Sequence, residues 1–230
     1  MKLFFGEIFP EVALHEDEQT HIVKVLRMKE GEEIHITDGK GNLAKGTLRF
    51  EGKKVSLDIL ETKENLPGFS QKLHIAIAPT KNIDRIAFFL EKAVEMAVSE
   101  ISIILTEKTE RKNINIEKLR KQAVSASKQS LRVHFPKINE ITKFSDFIKT
   151  LDAETTFVAH CNENLQRTDL KSINFEKNIT FLIGPEGDFS EKEINVLAEK
   201  GIKAVSLGKQ RLRTETAGVF VAAWNYFKMI

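Results

Sequence analysis

A single cysteine, Cys161, occurs in the 230 residues. It excludes an internal disulfide framework and makes a reducing cytoplasm the expected setting. No apolar run approaches the roughly 18–20 residues of a membrane-spanning helix, so no membrane partner is expected. The first residues, Met1-Lys2-Leu3-Phe4-Phe5-Gly6-Glu7, lack the apolar stretch and small-residue cleavage site of a secretory signal. Six histidines, His15, His21, His35, His74, His134 and His160, stand without paired ligand spacing, and no metal is expected. A phosphate-gripping P-loop is missing too. Gly201 and Gly208 are wrongly spaced for one, and Gln210 stands where Ser or Thr would hold magnesium. Gly39-Lys40-Gly41-Asn42-Leu43-Ala44 fits a loose dinucleotide pattern but lies between two strands with no helix behind it. It reads as a hairpin turn.

Hydrophobic residues, at 41%, supply a core, and the length fits one or two compact units. The charge is uneven. Residues 1–70 hold 10 Lys/Arg against 13 Asp/Glu, residues 71–141 hold 13 against 8, and residues 142–230 hold 12 of each. The middle stretch carries Lys108, Arg111, Lys112, Lys118, Arg120, Lys121, Lys128, Arg132 and Lys137. A polyanion would be drawn there, although a solvated helix face accounts for the same charges equally well.

The pattern of residues changes near position 70. Before it, short alternating segments at 33–37, 43–50 and 55–60 are separated by turns at Asp38-Gly39-Lys40-Gly41-Asn42 and Glu51-Gly52-Lys53-Lys54. This predicts a small antiparallel β-unit. Leu66-Pro67-Gly68-Phe69-Ser70 reads as the linker that ends it. After it, strands are predicted at 73–78, 101–105, 156–159, 180–183 and 204–207. Helices are predicted at 84–98 and at 116–131 with Asn115 as cap. A third begins at the capping box Ser190-Glu191-Lys192-Glu193 and ends at Gly201, and the last begins at Thr214 or Thr216. Apolar strands alternating with helices predict an α/β fold whose parallel sheet is covered on both faces. Ligands of such sheets bind beyond the carboxyl ends of the strands, which directs attention to residues 183–190 and 207–217.

Both loops carry more than a turn needs. Gly184-Pro185-Glu186-Gly187 leaves an apolar strand for a capped helix, and its glycines admit a ligand close to the main chain. Leu207-Gly208-Lys209-Gln210-Arg211-Leu212-Arg213-Thr214-Glu215-Thr216-Ala217 crowds two arginines before a helix N-terminus. The threonines and Glu215 suit that position, whereas cationic side chains do not. An anionic substrate would account for Arg211 and Arg213.

With these loops the chain resembles the bacterial 16S rRNA (uracil-N3)-methyltransferase family, a branch of the SPOUT class. The resemblance rests on His21-Ile22-Val23-Lys24-Val25-Leu26-Arg27, Lys92-Ala93-Val94-Glu95, Thr109-Glu110-Arg111, Ala126-Ser127-Lys128-Gln129-Ser130-Leu131-Arg132, Pro136 and the two loops, and it spans essentially the whole chain. It implies a PUA-like RNA-binding β-barrel over 1–70 and a SPOUT methyltransferase domain with a trefoil knot over 71–230. It further implies a homodimer acting on 16S rRNA within the small ribosomal subunit. S-adenosyl-L-methionine is the implied methyl donor, held by His160, Ile183, Gly184, Gly187, Leu207, Gly208 and Leu212. Two positions depart from the family pattern: Asp188 replaces a usual glycine, and Gln210-Arg211 replaces arginine and an aliphatic residue.

Uridine N3 carries a proton that must leave before a methyl group can arrive. Arg213 is assigned to orient phosphate or to stabilise the developing uridine anion, and Glu186 or Glu215 to accept the proton. RNA contacts are assigned to His21, Arg27, Lys81, Arg111, Gln129 and Arg132. Alternative readings are a SPOUT methyltransferase of another RNA such as tRNA, and a non-catalytic RNA-binding protein on the same fold.

Overall fold

A computed structural model describes residues 1–52, 54–68, 71–162, 166–174 and 178–230. Lys53 of the second expected turn and Phe69-Ser70 of the expected linker lie outside the described residues. The chain divides into two compact units, Met1–Gly68 with Val124–Phe135, and Phe69–Ala123 with Pro136–Ile230. A single cut at residue 70 therefore leaves out a segment of the first unit. That segment is held there by backbone and side chains alike. The Gly41 N–H donates to the Val133 carbonyl at 2.8 Å, and the Phe5 and Phe135 rings lie 5.2 Å apart. Lys128 pairs with the buried carboxylate of Glu18.

The first unit begins with β1 (Leu3–Glu7), β2 (Ala13–Leu14) and a short helix α1 (Glu16–Thr20), which runs into a wide helical turn over His21–Val25. Then come β3 (Glu33–Thr37), β4 (Leu43–Glu51) and β5 (Lys54–Lys63). The sheet order is β2-β1-β3-β4-β5, and the outer strands β2 and β5 meet, so the sheet is nearly a closed barrel. Its filling follows from alternation. Ile34 and Ile36 of β3 and Ala44 and Leu48 of β4 point inward and join Phe4, Leu14, Ile22 and Val55. Between β3 and β4 the turn is shaped by Asp38, whose carboxylate accepts from Lys40 N–H and Asn42 Nδ2, with Gly39 and Gly41 at positive φ.

In the second unit, β6 (Leu73–Ile77), α2 (Ile83–Glu95) and β7 (Glu100–Leu105) are followed by α3 (Ile116–Gln129), whose last turns belong to the first unit. Two-residue strands β8 (Lys137–Ile138) and β9 (Thr142–Lys143) lead into α4 (Phe144–Phe147). Next are β10 (Thr156–Ala159), β11 (Thr168–Asp169), β12 (Ile179–Ile183), α5 (Glu191–Glu199), β13 (Lys203–Ser206) and α6 (Thr214–Met229). The strands form one parallel sheet in the order β11-β13-β10-β12-β6-β7-β8, with β9 beside β7.

Both faces of this sheet are covered, as continuous apolar strands require. Ala76, Ile104, Val158 and Leu182 face one way, onto Phe144 and Phe147 of α4 and Ile194 and Leu197 of α5. Their sequence neighbours face α2 and α6. Phe181 meets the Trp224 ring edge-on at 5.7 Å, and a Cβ at Gly218 would stand 2.5 Å from the Phe89 ring. Only glycine lets α6 approach α2 so closely. Asn115 caps α3 by accepting the Lys118 N–H, and Ser190 and Glu193 form the expected capping box. The last helix starts at Thr214, but Thr214 is not its cap. Arg213 takes that position, and the Thr214 hydroxyl is used elsewhere.

Candidate active site

Register decides where the loops emerge. Ala159, the last residue of β10, lies opposite Ile183 of β12 and Val205 of β13, and β12 runs beside β6. Three adjacent parallel strands thus release their chains at one level on the carboxyl edge, as the crevice rule for open sheets anticipates. The loops enclose a cavity of about 400 Å³. Ala159, Ile183, Val205, Leu207 and Leu212 give it apolar walls. His160, Glu186, Arg85, Arg167, Arg211 and Arg213 supply its polar groups. A volume of this size suits a nucleoside-sized ligand.

Hydrogen bonds tie the loops to one another. The Thr214 hydroxyl donates to the Gly184 carbonyl at 2.9 Å, which joins the loop after β12 to the start of α6. Asp188 accepts the Cys161 N–H at 2.8 Å and so joins the same loop to the one after β10. Arg167 donates to the His160 carbonyl at 3.0 Å. From outside, Lys108 Nζ donates to the carbonyls of Gly187 and Phe189. The helix cap is extended as well: the Glu107 N–H donates to Glu193, and the Ser190 hydroxyl donates to Glu107.

His160 is buried, and burial lowers its pKa, an effect that the nearby Asp188 charge partly opposes. Its Nδ1 accepts the Asn162 N–H at 3.1 Å, which places the ring proton on Nε2. That Nε2 is buried and has no hydrogen-bond partner among the described residues. Glu186 is exposed at the rim, and its Oε1 accepts the Lys81 N–H at 3.1 Å.

The residues expected to act are not all on the cavity wall. His160, Ile183, Gly184, Leu207, Gly208, Leu212, Glu186 and Arg213 line it. Gly187 lies off the wall, where an added Cβ would meet the Lys108 side chain at 3.3 Å. Glu215 is buried behind it, with Oε1 3.7 Å from Arg85 Nε and Oε2 without a hydrogen-bond partner. Arg85 itself escaped the sequence reading, which used only the apolar stripe of α2. Its place in the first turn after β6, on the same edge as the two loops, was the available signal.

The expected RNA contacts fall in both units. In the first, Arg27 and Gln129 are exposed and His21 is half-buried, and Arg27 sits at φ +50°. Arg132 is half-buried, and desolvation lowers its pKa to about 10. In the second, Lys81 and Arg111 are exposed and joined, since Arg111 Nε donates to the Lys81 carbonyl at 2.7 Å. Lys81 also pairs with Glu110 at 2.9 Å. Among the described residues, no three His, Cys, Asp or Glu side chains are grouped to hold a metal, and no helix is long and apolar enough to cross a membrane.

Comparison with known proteins agrees with this architecture. Residues 67–225 match the family model of an RNA methyltransferase domain, and residues 14–60 match that of an RNA methyltransferase PUA domain. A "probable rRNA-methyltransferase" from Porphyromonas gingivalis superimposes with a TM-score of 0.90 at 34% identity, covering 100% of this chain and 98% of that one. Ribosomal RNA small subunit methyltransferase E of Neisseria gonorrhoeae, solved bound to S-adenosyl methionine, does so with a TM-score of 0.85 at 26% identity, covering 99% and 98%. The protein of that name from Aquifex aeolicus is 30% identical over 91% of each chain. The chain belongs to the RNA methyltransferase family.

Proposed function

We propose that this protein is an S-adenosyl-L-methionine-dependent methyltransferase that modifies N3 of a specific uridine in 16S rRNA of the small ribosomal subunit. The observation that carries the proposal is the convergence of three parallel strand ends on one apolar-walled cavity with arginines at its rim. The relatives named for small-subunit rRNA methylation, one of them solved with S-adenosyl methionine, support the same reading.

The cavity fits the donor in chemistry as well as volume. Ile183, Leu207 and Leu212 offer surfaces for a purine ring, with the His160 ring beside them on the wall. Gly208, where an added Cβ would meet nothing within 4 Å, leaves its main chain open to a ligand and holds φ +122°, which disfavours a side chain. Gly187 supports this wall from behind through Lys108. When bound, the donor supplies an electrophilic methyl group. The protein's residues orient the acceptor and remove the N3 proton.

Arg213, exposed at the mouth and fixed as the cap of α6, is placed to hold a phosphate or the uridine anion as charge develops. Glu186 is the better proton acceptor of the two glutamates. Its carboxylate stands at the rim with one oxygen uncommitted, whereas Glu215 is turned toward Arg85 and serves to position it. Residues 1–70, joined by 124–135, form the RNA-binding unit, with His21, Arg27, Gln129 and Arg132 contacting the substrate backbone, and the rest of 71–230 the methyltransferase unit, with Lys81 and Arg111 beside the cavity. A homodimeric, cytoplasmic SPOUT enzyme with a knotted C-terminal segment is the assembly consistent with this assignment.

Mass mapping of modified nucleotides in RNA from a deletion strain tests the target. Loss of a single N3-methyluridine from 16S rRNA is expected. Loss of a tRNA modification instead would move the enzyme to another substrate. Calorimetry with S-adenosyl-L-methionine separates an enzyme from a non-catalytic RNA-binding protein, because the latter would bind no donor. Glu186→Gln, which keeps an acceptor for the Lys81 N–H, is expected to bind donor normally and to lose most turnover. Full turnover would remove Glu186 from the mechanism.

A further inference from the structure

One residue on the cavity wall has a conformation that its type rarely adopts. Asp188 sits at φ +61°, in the left-handed region where glycine is the default. Aspartate tolerates that region when its short side chain bonds locally, and here Oδ1 accepts the adjacent Phe189 N–H at 2.8 Å. The other oxygen, Oδ2, does more. It accepts the N–H of Cys161, 27 residues away and on the loop after β10, at 2.8 Å. The carboxylate is also close enough to the main chain that a Cβ on Gly184 would meet Oδ1 at 3.2 Å.

The Cys161 end of this bond carries the consequence. The preceding residue is His160, buried, with Nδ1 committed to the Asn162 N–H and Nε2 without a partner among the described residues. The two main-chain bonds at 161 and 162 therefore fix the loop directly after the His160 ring, a residue that lines the cavity. Asp188 and Cys161 also line an adjoining hollow of about 730 Å³, so they stand in the partition between two open spaces.

We propose that Asp188 is a positioning residue of the donor pocket, a latch between the loops after β10 and β12 that holds the His160 loop in the place that shapes the donor side of the cavity. The proposal rests on the function assigned above. It assigns no contact between Asp188 and the donor. The carboxylate acts through the loop it holds.

Two substitutions isolate the latch. Asp188→Gly removes the carboxylate without straining the left-handed backbone, and Asp188→Asn keeps the conformation with one acceptor oxygen. Donor affinity is measured with S-adenosyl-L-methionine by calorimetry. Alkylation of the exposed Cys161 by iodoacetamide, without donor, reports on the loop itself. Thermal unfolding confirms that each variant is folded. For Asp188→Gly the expected results are donor affinity lower by about tenfold or more, turnover at saturating donor largely kept, and faster alkylation. Asp188→Asn should fall between it and the parent. His160→Phe, which removes the bond from the Asn162 N–H, should also lose donor affinity, and in the double variant with Asp188→Gly the two losses should not add. Parental donor affinity in folded Asp188→Gly overturns the proposal. If the parent protein binds no donor, the functional assignment falls, and the latch is judged by alkylation alone: an unchanged rate overturns it.

Discussion

The two ends of the parallel sheet carry similar polar residues in opposite states of completion. At the amino edge, His74 Nε2 meets the Ser102 hydroxyl at 2.8 Å, and Asn139 Nδ2 donates to Ser102 and to Glu100 at 2.8 and 2.7 Å. Lys137 closes the set on Glu100 at 3.2 Å. At the carboxyl edge, the buried His160 Nε2 has no hydrogen-bond partner among the described residues, and four arginines line the cavity beside only two carboxylates, Glu186 and Asp188. Polar groups that satisfy one another stabilise a fold. Polar groups left waiting in a cavity indicate a ligand. The contrast between His74 and His160 teaches this better than either does alone.

The comparison can be broken most sharply at Arg213. Arg213→Ala is expected to lower methyl transfer about 100-fold or more while leaving donor affinity and unfolding temperature nearly unchanged. The readout is transfer of a labelled methyl group to 16S rRNA, and a loss below about tenfold would count against the assigned role. Asn139→Ala at the other edge should do the reverse. It removes the donor shared by Ser102 and Glu100 and is expected to cost about 1–3 kcal/mol of stability, measured by denaturant unfolding, with kinetic constants per folded molecule intact. A kinetic defect there would show that the amino edge is not purely structural.

The smallest expected effect is on pH dependence. Burial holds both His74 and His160 below the ordinary imidazole range, partly opposed by Glu100 in the first case and Asp188 in the second. The unfolded chain then binds more protons than the folded one as pH falls below about 6.5. The stability these groups confer is complete above that pH and declines below it. His35 of the first unit shifts the same way. His74→Gln should make the decline between roughly pH 6.5 and pH 5 shallower, by an amount visible in unfolding midpoints, and an unchanged slope would place the titration elsewhere.

Much of the carboxyl edge was legible because its signals are local. The run Ile179–Ile183, the box from Ser190 to Glu193 and the loop ending in Arg213 each announce themselves within about ten residues. The pieces that escaped depend on distant partners. Strands β2, β8, β9 and β11 have two residues each, too few for any period to register. Residues 124–135 continue the pattern of a helix whose first half belongs to the other unit, and distant partners such as Glu18, Gly41, Leu66 and Phe5 reveal where they pack. Arg85 and Asp188 are ordinary surface types by sequence. Their roles come from Glu215 and Cys161, 130 and 27 positions away.

Strand order has a consequence for the order of assembly. β6 finds its neighbour in β12, whose register pairs Leu73 with Ile179 and Ile77 with Ile183, so more than a hundred residues must be synthesised before that pair can close. The first barrel needs no such wait, since β1 to β5 pair within Leu3–Lys63. Contacts of such long separation carry a large loop-closure cost and slow folding. A nascent chain released from the ribosome at residue 180 would hold the strands of a complete barrel but only the part of the sheet that β6 to β9 can pair among themselves. The cavity, which draws its walls from residues 85 to 217, is the last part of the molecule to exist.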